Sequence, residues 1–239
     1  MAKKTTCVRT SRPIVDGIEG RVVEGRYQLG DRLAVSSVSD HWAAFDLENQ
    51  QWVRLVMLRS SNRDLVIGFV RNSHGLRSVK HPGIAAVRTA SLASGSLPLP
   101  YTALDLVVGS RPQAKVSRTR DAIRLFIPLF ECLATIHAAG IALPDLCLQD
   151  IVVTPEGRAV IFDPGMDRLP RAQEGGELEN VAQLGSALRD LLTQAAPQFL
   201  ADSGLCSLLN RLTLHRRRSF DAGRATEEMR GWLEVSSLA

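Results

Sequence analysis

The sequence predicts an α+β fold in two lobes: a small antiparallel sheet carrying one helix, then a mostly helical half. Three observations predict it. Between Tyr27 and Leu106 the apolar residues fall in short β-forming runs broken by turn signals. From Asp121 onward they recur at helical spacing. Within that second half the strand signal shrinks to a short hairpin around Thr154-Pro155-Glu156-Gly157-Arg158.

Residues 1–25 are polar and basic without periodicity and read as a flexible leader, ahead of a sheet lobe over 26–107 and a helical lobe over 108–239. Strands are expected over 27–33, 41–46 and 52–59, the last two joined by Leu47-Glu48-Asn49-Gln50-Gln51. Residues 64–80 place Leu65, Val66, Phe69, Val70, Leu76 and Val79 at roughly helical spacing, weakened by Gly68 and Gly75. His81-Pro82-Gly83 ends that helix, because proline drives the residue before it toward extended backbone. Strands follow over 84–89 and 101–106. The strongest helix spans 121–139, where Ile123, Phe126, Ile127, Phe130, Leu133 and Ile136 share a face and Gly140 supplies the stop. Further helices are expected over 177–194, 203–214 and 225–233.

At 239 residues, 45% hydrophobic and 23% charged, the chain has the composition of an ordinary globular protein with a real core. No apolar run reaches the ~18 residues of a membrane span, and Met1-Ala2-Lys3-Lys4-Thr5-Thr6 lacks a signal peptide's apolar segment. Cys7, Cys132, Cys147 and Cys206 are scattered without metal-site spacing, so reduced thiols in a cytoplasm are expected. The net charge is +4, with basic clusters in the leader and at Arg216-Arg217-Arg218 before Ser219. Neither is interleaved with aromatics, so they read as solvated, and nucleic-acid binding is not expected.

The chemistry concentrates in residues 141–166. Asp145 follows the long helix, Asp150 stands five positions on, and Asp163 closes the hairpin in Phe162-Asp163-Pro164-Gly165. This order resembles the catalytic core of protein kinases, H-R-D-L-x-x-x-N, hairpin, D-F-G. His81-Pro82-Gly83-Ile84 resembles the H-P-N-I after the front-lobe helix, residues 101–109 resemble the strand and hinge, and Val181-Ala182-Gln183-Leu184-Gly185 resembles the start of the central back-lobe helix. The resemblance covers roughly residues 26–233 and is nearest to compact bacterial-type serine/threonine kinases. It implies the two-lobed kinase-like fold with a shortened activation segment. An unrelated α+β protein with this element order is the alternative.

The residues that differ carry the functional expectation. The glycine-rich loop position reads Ala34-Val35-Ser36-Ser37-Val38-Ser39-Asp40-His41, so side chains stand where backbone should approach phosphate. Val56 replaces the phosphate-binding lysine and Asn72 its glutamate partner; His41 and Arg54 occupy the positions that enclose the adenine. Leu104, Asp105 and Val107 complete this degenerate cleft at the hinge. Leu143, Pro144, Cys147 and Pro164 replace the His, Arg, Lys and Phe around the acids, and Asn180 replaces the Asp that anchors the catalytic loop. The resemblance therefore implies a pseudokinase, a scaffold or regulator for a protein partner rather than an enzyme. No cofactor, metal or working catalytic residue is expected, and Leu76 and Leu143 complete an apolar column without ligand.

The alternative keeps Asp145 as base and Asp150 and Asp163 as magnesium ligands. With ATP, and with Arg54 as a phosphate-binding cation, they would form an atypical phosphotransferase or a nucleotide sensor. Against it stands a plainer reading, in which Asp145 and Asp150 cap loop backbone and Asp163 ends a strand.

Overall fold

A computed structural model describes residues 18–92, 99–168, 176–213 and 220–236. Six strands form the first sheet: β1 (Val22–Val23), β2 (Tyr27–Val35), β3 (Ser39–Asp46), β4 (Gln51–Leu58), β5 (Val87–Ser91) and β6 (Tyr101–Asp105). Their order is β1-β2-β3-β4-β6-β5, and every pairing is antiparallel. Helix α1 (Arg63–Leu76) crosses from β4 to β5, its N-terminus capped by the Asn62 side chain, which accepts from the Asp64 and Leu65 amides. The second lobe holds α2 (Thr119–Ala138), the hairpin β7 (Ile151–Val153) and β8 (Ala159–Ile161), then α3 (Gly176–Ala195), α4 (Ser203–Thr213) and α5 (Ala222–Ser236).

The alternation of side chains along β3 and β4 sends Trp42, Ala44, Val53, Leu55 and Met57 into a core shared with Tyr27, Leu29 and Tyr101. Val56 and Leu58 leave by the opposite face and join Leu65 and Phe69 of α1, in a core that continues through Ile123, Phe126 and Phe130 of α2. Leu76 and Leu143 both lie in that second core, so one apolar body spans the two lobes. Gly140, with φ +70°, turns the chain after α2 as expected.

Two expectations are corrected. Of the leader, residues 1–17 lie outside the described residues, but residues 18–25 are built into the sheet. Ile18 and Val23 are buried in the outer core, and the Glu24 carboxylate accepts from the Tyr101 hydroxyl at 2.5 Å. The strand expected over 84–89 starts later, at Val87, while Ile84 instead forms an isolated bridge to Ile161 and ties the lobes together. The cluster Arg216-Arg217-Arg218 and Cys7 lie outside the described residues. Cys132, Cys147 and Cys206 carry free thiols. Among the described residues, no helix is long and apolar enough to cross a membrane.

Candidate functional site

The roof of the cleft is the turn between β2 and β3, and its serines bend it onto itself. Ser36 Oγ accepts from the backbone amides of Val38 at 3.2 Å and Ser39 at 2.9 Å. The Ser36 amide donates to the Ser39 carbonyl at 2.9 Å. Amides that a glycine-rich loop would offer to phosphate are thus spent internally. Arg59 pins the turn from behind, donating to the Ser36 carbonyl at 2.6 Å while its Nε lies 3.0 Å from Asp40 Oδ2.

Arg54 shares the cleft-facing side of β4 with Val56 and is only 6% exposed. Its guanidinium donates to Asp163 Oδ2 at 2.8 Å and to the Phe162 carbonyl at 3.0 Å, and it stacks 4.9 Å above the Phe162 ring. It also bonds His41 Nδ1. A guanidinium only donates, so it meets His41 Nδ1 as an acceptor, and the ring's other nitrogen is Nε2. That nitrogen faces Ser39 Oγ at 2.8 Å and Asp167 Oδ2 at 3.3 Å. Arg54 therefore stands in the cleft and pairs with an acid across it.

The floor is held by a second guanidinium. Asp150 accepts from the Cys147 amide at 2.9 Å, the local capping role expected of it, and from Arg168 Nη1 at 2.7 Å. Arg168 also donates to the Asp145 carbonyl at 2.7 Å, and its Nη2 lies 3.8 Å from Asp163 Oδ2. Bonding to Asp150 drives the Arg168 pKa further above its ordinary value. Asp163 accepts from the Gly165 amide at 3.1 Å.

Gly165 makes the reach of Arg168 possible. Its φ is +68°, and a Cβ there would sit 2.6 Å from the Pro144 carbonyl oxygen. The sharp turn delivers Asp167 upward and Arg168 downward. Asp167 bonds the Ser39 hydroxyl and lies 3.3 Å from Ser36 Oγ, joining the floor segment to the roof. Burial pushes the Asp167 pKa up, but hydrogen bonds from His41 and Ser39 and the neighbouring Arg168 charge outweigh it, holding the group well below the usual carboxylate range.

The remaining expected positions divide. Val56 and Leu104 are core, with Val107 packed against it, and Ala34 is exposed. Asp105 turns outward to Arg88 Nε at 2.5 Å rather than into the cleft. Asn72 is buried, and it lines a separate cavity of about 510 Å³ together with Asp145, Arg71 and Glu179. Asp145, in left-handed backbone with φ +46°, thus borders that cavity, while Asp163 borders another of about 430 Å³ beneath the roof. Asn180 still anchors the loop, by amide instead of carboxylate: it accepts from the Leu143 amide at 2.7 Å and donates to the Leu143 carbonyl at 2.6 Å. Magnesium does not fit Asp150 and Asp163 as arranged, because guanidinium groups hold the oxygens it would need. Among the described residues no three His, Cys, Asp or Glu side chains group to hold a metal.

No family model matches the chain. CBL-interacting protein kinase 16 of Oryza sativa subsp. japonica is 26% identical over 163 residues, 65% of this chain and 35% of that protein. Serine/threonine-protein kinase PknA of Mycobacterium tuberculosis is 28% identical over 170 residues, 65% of this chain and 39% of that protein. The crystal structure of the Mycobacterium tuberculosis PknI kinase domain superposes with a TM-score of 0.74 at 18% identity, covering 89% of this chain and 98% of that one. The chain has the two-lobed protein-kinase fold.

The chain spans 35–39% of the length of those two relatives. The expectation that it is not an enzyme is overturned by them, since the proteins it matches are named as protein kinases. Sequence reasoning missed Asp167, Arg168 and the role of Phe162. One signal was available: an Asp-Arg pair separated from Gly165 by Met166 alone, in a segment too short to carry it away from the acids.

Proposed function

We propose that this kinase-fold chain is a regulatory, protein-binding module whose nucleotide cleft is closed by its own guanidinium groups. The observation that carries the reading is that Arg54 and Arg168 converge on Asp163, at 2.8 and 3.8 Å, with Arg168 also holding Asp150. These are the acids that would otherwise face metal and phosphate. The spent amides of the roof and the bond from Asp167 to Ser39 support the same conclusion. ATP and magnesium enter only if both arginines leave.

The test is thermal stability with and without ATP and Mg²⁺. A ligand held at one hundred times its dissociation constant adds about 2.7 kcal/mol to the native state. The wild type is expected to show no shift at millimolar nucleotide. A clear shift overturns the closed-cleft reading.

A second reading is favoured by one observation, the survival of Asp145, Asp150 and Asp163 at the family's spacing. In it the chain is an atypical phosphotransferase, and release of Arg54 and Arg168 is the controlling step. It requires the nucleotide shift and, in addition, phosphate transfer that disappears in Asp163→Asn.

A further inference from the structure

The helical lobe distributes its charges unevenly. Beyond residue 124 its described arginines have partners: Arg168 holds Asp150, Arg189 bonds Asn210 at 2.9 Å, Arg211 meets Glu228 at 2.7 Å, and Arg230 meets Glu131. Residues 111–124 differ. They carry five cations, Arg111, Lys115, Arg118, Arg120 and Arg124, against the single acid Asp121. Among the described residues none of the five forms an ion pair.

Two of these cations border a concavity. Arg118 and Arg120, at the start of α2, line a cavity of about 570 Å³ with Phe199, Asp202 and Trp232. Arg124 stands one helical turn beyond Arg120, on the same side of α2. Phe199 is buried and Trp232 half-buried, while Leu200 and Val235 beside the cavity are exposed large apolar side chains. The indole is held in place, because Trp232 Nε1 donates to Asp202 Oδ2 at 3.2 Å. The other Asp202 oxygen accepts from the Leu205 amide at 2.8 Å, so the wall's one carboxylate is turned to the protein's own donors. Tryptophan and arginine around a concave apolar floor are the side chains that dominate protein–protein binding energy.

We infer that this cavity, between the start of α2 and the end of α5, docks an acidic peptide segment of a protein partner. An apolar side chain of the segment lies against Phe199 and Trp232, and its carboxylates meet Arg118, Arg120 and Arg124. Charge complementarity sets the sign of the occupant, since unpaired arginines seek anions. The concave floor favours a side chain over a lipid surface, and aliphatic Leu200 and Val235 favour a peptide over a nucleic acid strand, which binds through cations and ring stacking. An isologous pair of copies would set these cations against themselves. The inference rests on the proposed reading that the chain engages protein partners, and names where. It uses no residue of the arginine-closed cleft.

The experiment is a two-dimensional ¹H–¹⁵N NMR titration of the full chain at low salt, read at the Trp232 indole N–H. The probe is acetyl-Leu-Glu-Asp-Glu-amide. A saturable shift of the Trp232 signal is expected, with the Trp42 and Trp52 signals of the sheet lobe unmoved. The uncharged acetyl-Leu-Gln-Asn-Gln-amide is expected to bind about tenfold more weakly. The double variant Arg118→Gln, Arg120→Gln keeps Trp232 as the readout and is expected to bind both peptides equally weakly. Surface substitutions of this kind change stability little, and unmoved Trp42 and Trp52 signals check the fold. No Trp232 shift at millimolar peptide, equal binding of the two peptides by the wild type, or discrimination that survives the double variant would each overturn the proposal. So would tighter binding of phosphatidylserine vesicles or of a single-stranded DNA oligonucleotide that the double variant loses, which would give the face to a membrane or a nucleic acid. The two tests fail separately: a nucleotide shift sinks the closed-cleft reading alone, and absent peptide binding sinks the docking site alone.

Discussion

Alternate residues of β3 and β4 live in two different environments. On the outer face Trp42, Ala44, Val53, Leu55 and Met57 close an apolar core. On the cleft face Ser39, His41 and Arg54 are as deeply buried, but each is polar and each depends on a partner outside the sheet. The outer face coheres because apolar area leaves water, which needs no particular geometry. The cleft face coheres through a chain of specific bonds, Arg54 to Asp163 below it and His41 and Ser39 to Asp167 beside it. One sheet thus carries a surface that tolerates rearrangement and a surface that does not.

The largest expected effect lies on the cleft face. Arg54→Ala leaves Asp163 with Arg168 alone, at 3.8 Å, and breaking a buried pair costs about 3–5 kcal/mol. Urea denaturation measures it. The same loss is expected to shrink when Asp163→Asn is made in the Arg54→Ala background, because the orphaned charge is then gone. If the second substitution brings no recovery, the pair contributes packing rather than charge compensation, and the contrast between the faces collapses.

Leu55→Ala tests the other face. Leu55 is fully buried and its loss opens a cavity, expected to cost about 3 kcal/mol. No substitution on the cleft face is expected to recover that loss. Nucleotide response is also expected to stay as in the wild type, because Leu55 points away from the acids.

This contrast also marks what the sequence made legible. The strands and helices follow from short-range periodicity, and the order of apolar runs recovers the outer core, α1, α2 and the hairpin β7–β8 within a few residues. Pairing across the cleft cannot be read that way, since Arg54 and Asp163 stand 109 positions apart. The side Arg54 faces follows from its place two residues before Val56, since alternate residues of a strand share a face. Which acid it meets, and that Arg168 would join it, depended on a turn only Gly165 permits. Asn180 illustrates the same limit: losing the carboxylate read as a lost anchor, but an amide offers a donor and an acceptor and grips Leu143 with both. Residues 18–25 were misread because β1 is two residues long, too short for any period to register.

The smallest and most discriminating effect concerns Asp167, the link between floor and roof. Its folded-state pKa lies below the unfolded value of about 3.9. A depressed carboxylate contributes stability that is fully present above the unfolded pKa and is lost as pH falls through the folded one. Asp167→Asn removes that contribution, at a cost of about 2 kcal/mol near pH 7 for a hydrogen-bonded charged group. The gap between wild type and variant should hold steady from pH 7 down to about pH 5, then narrow below about pH 4 as the wild-type carboxylate takes a proton. Chemical denaturation across that range measures it. A gap independent of pH would mean that Asp167 acts through shape alone, and that the cleft face is held by the same undirected packing as the outer one.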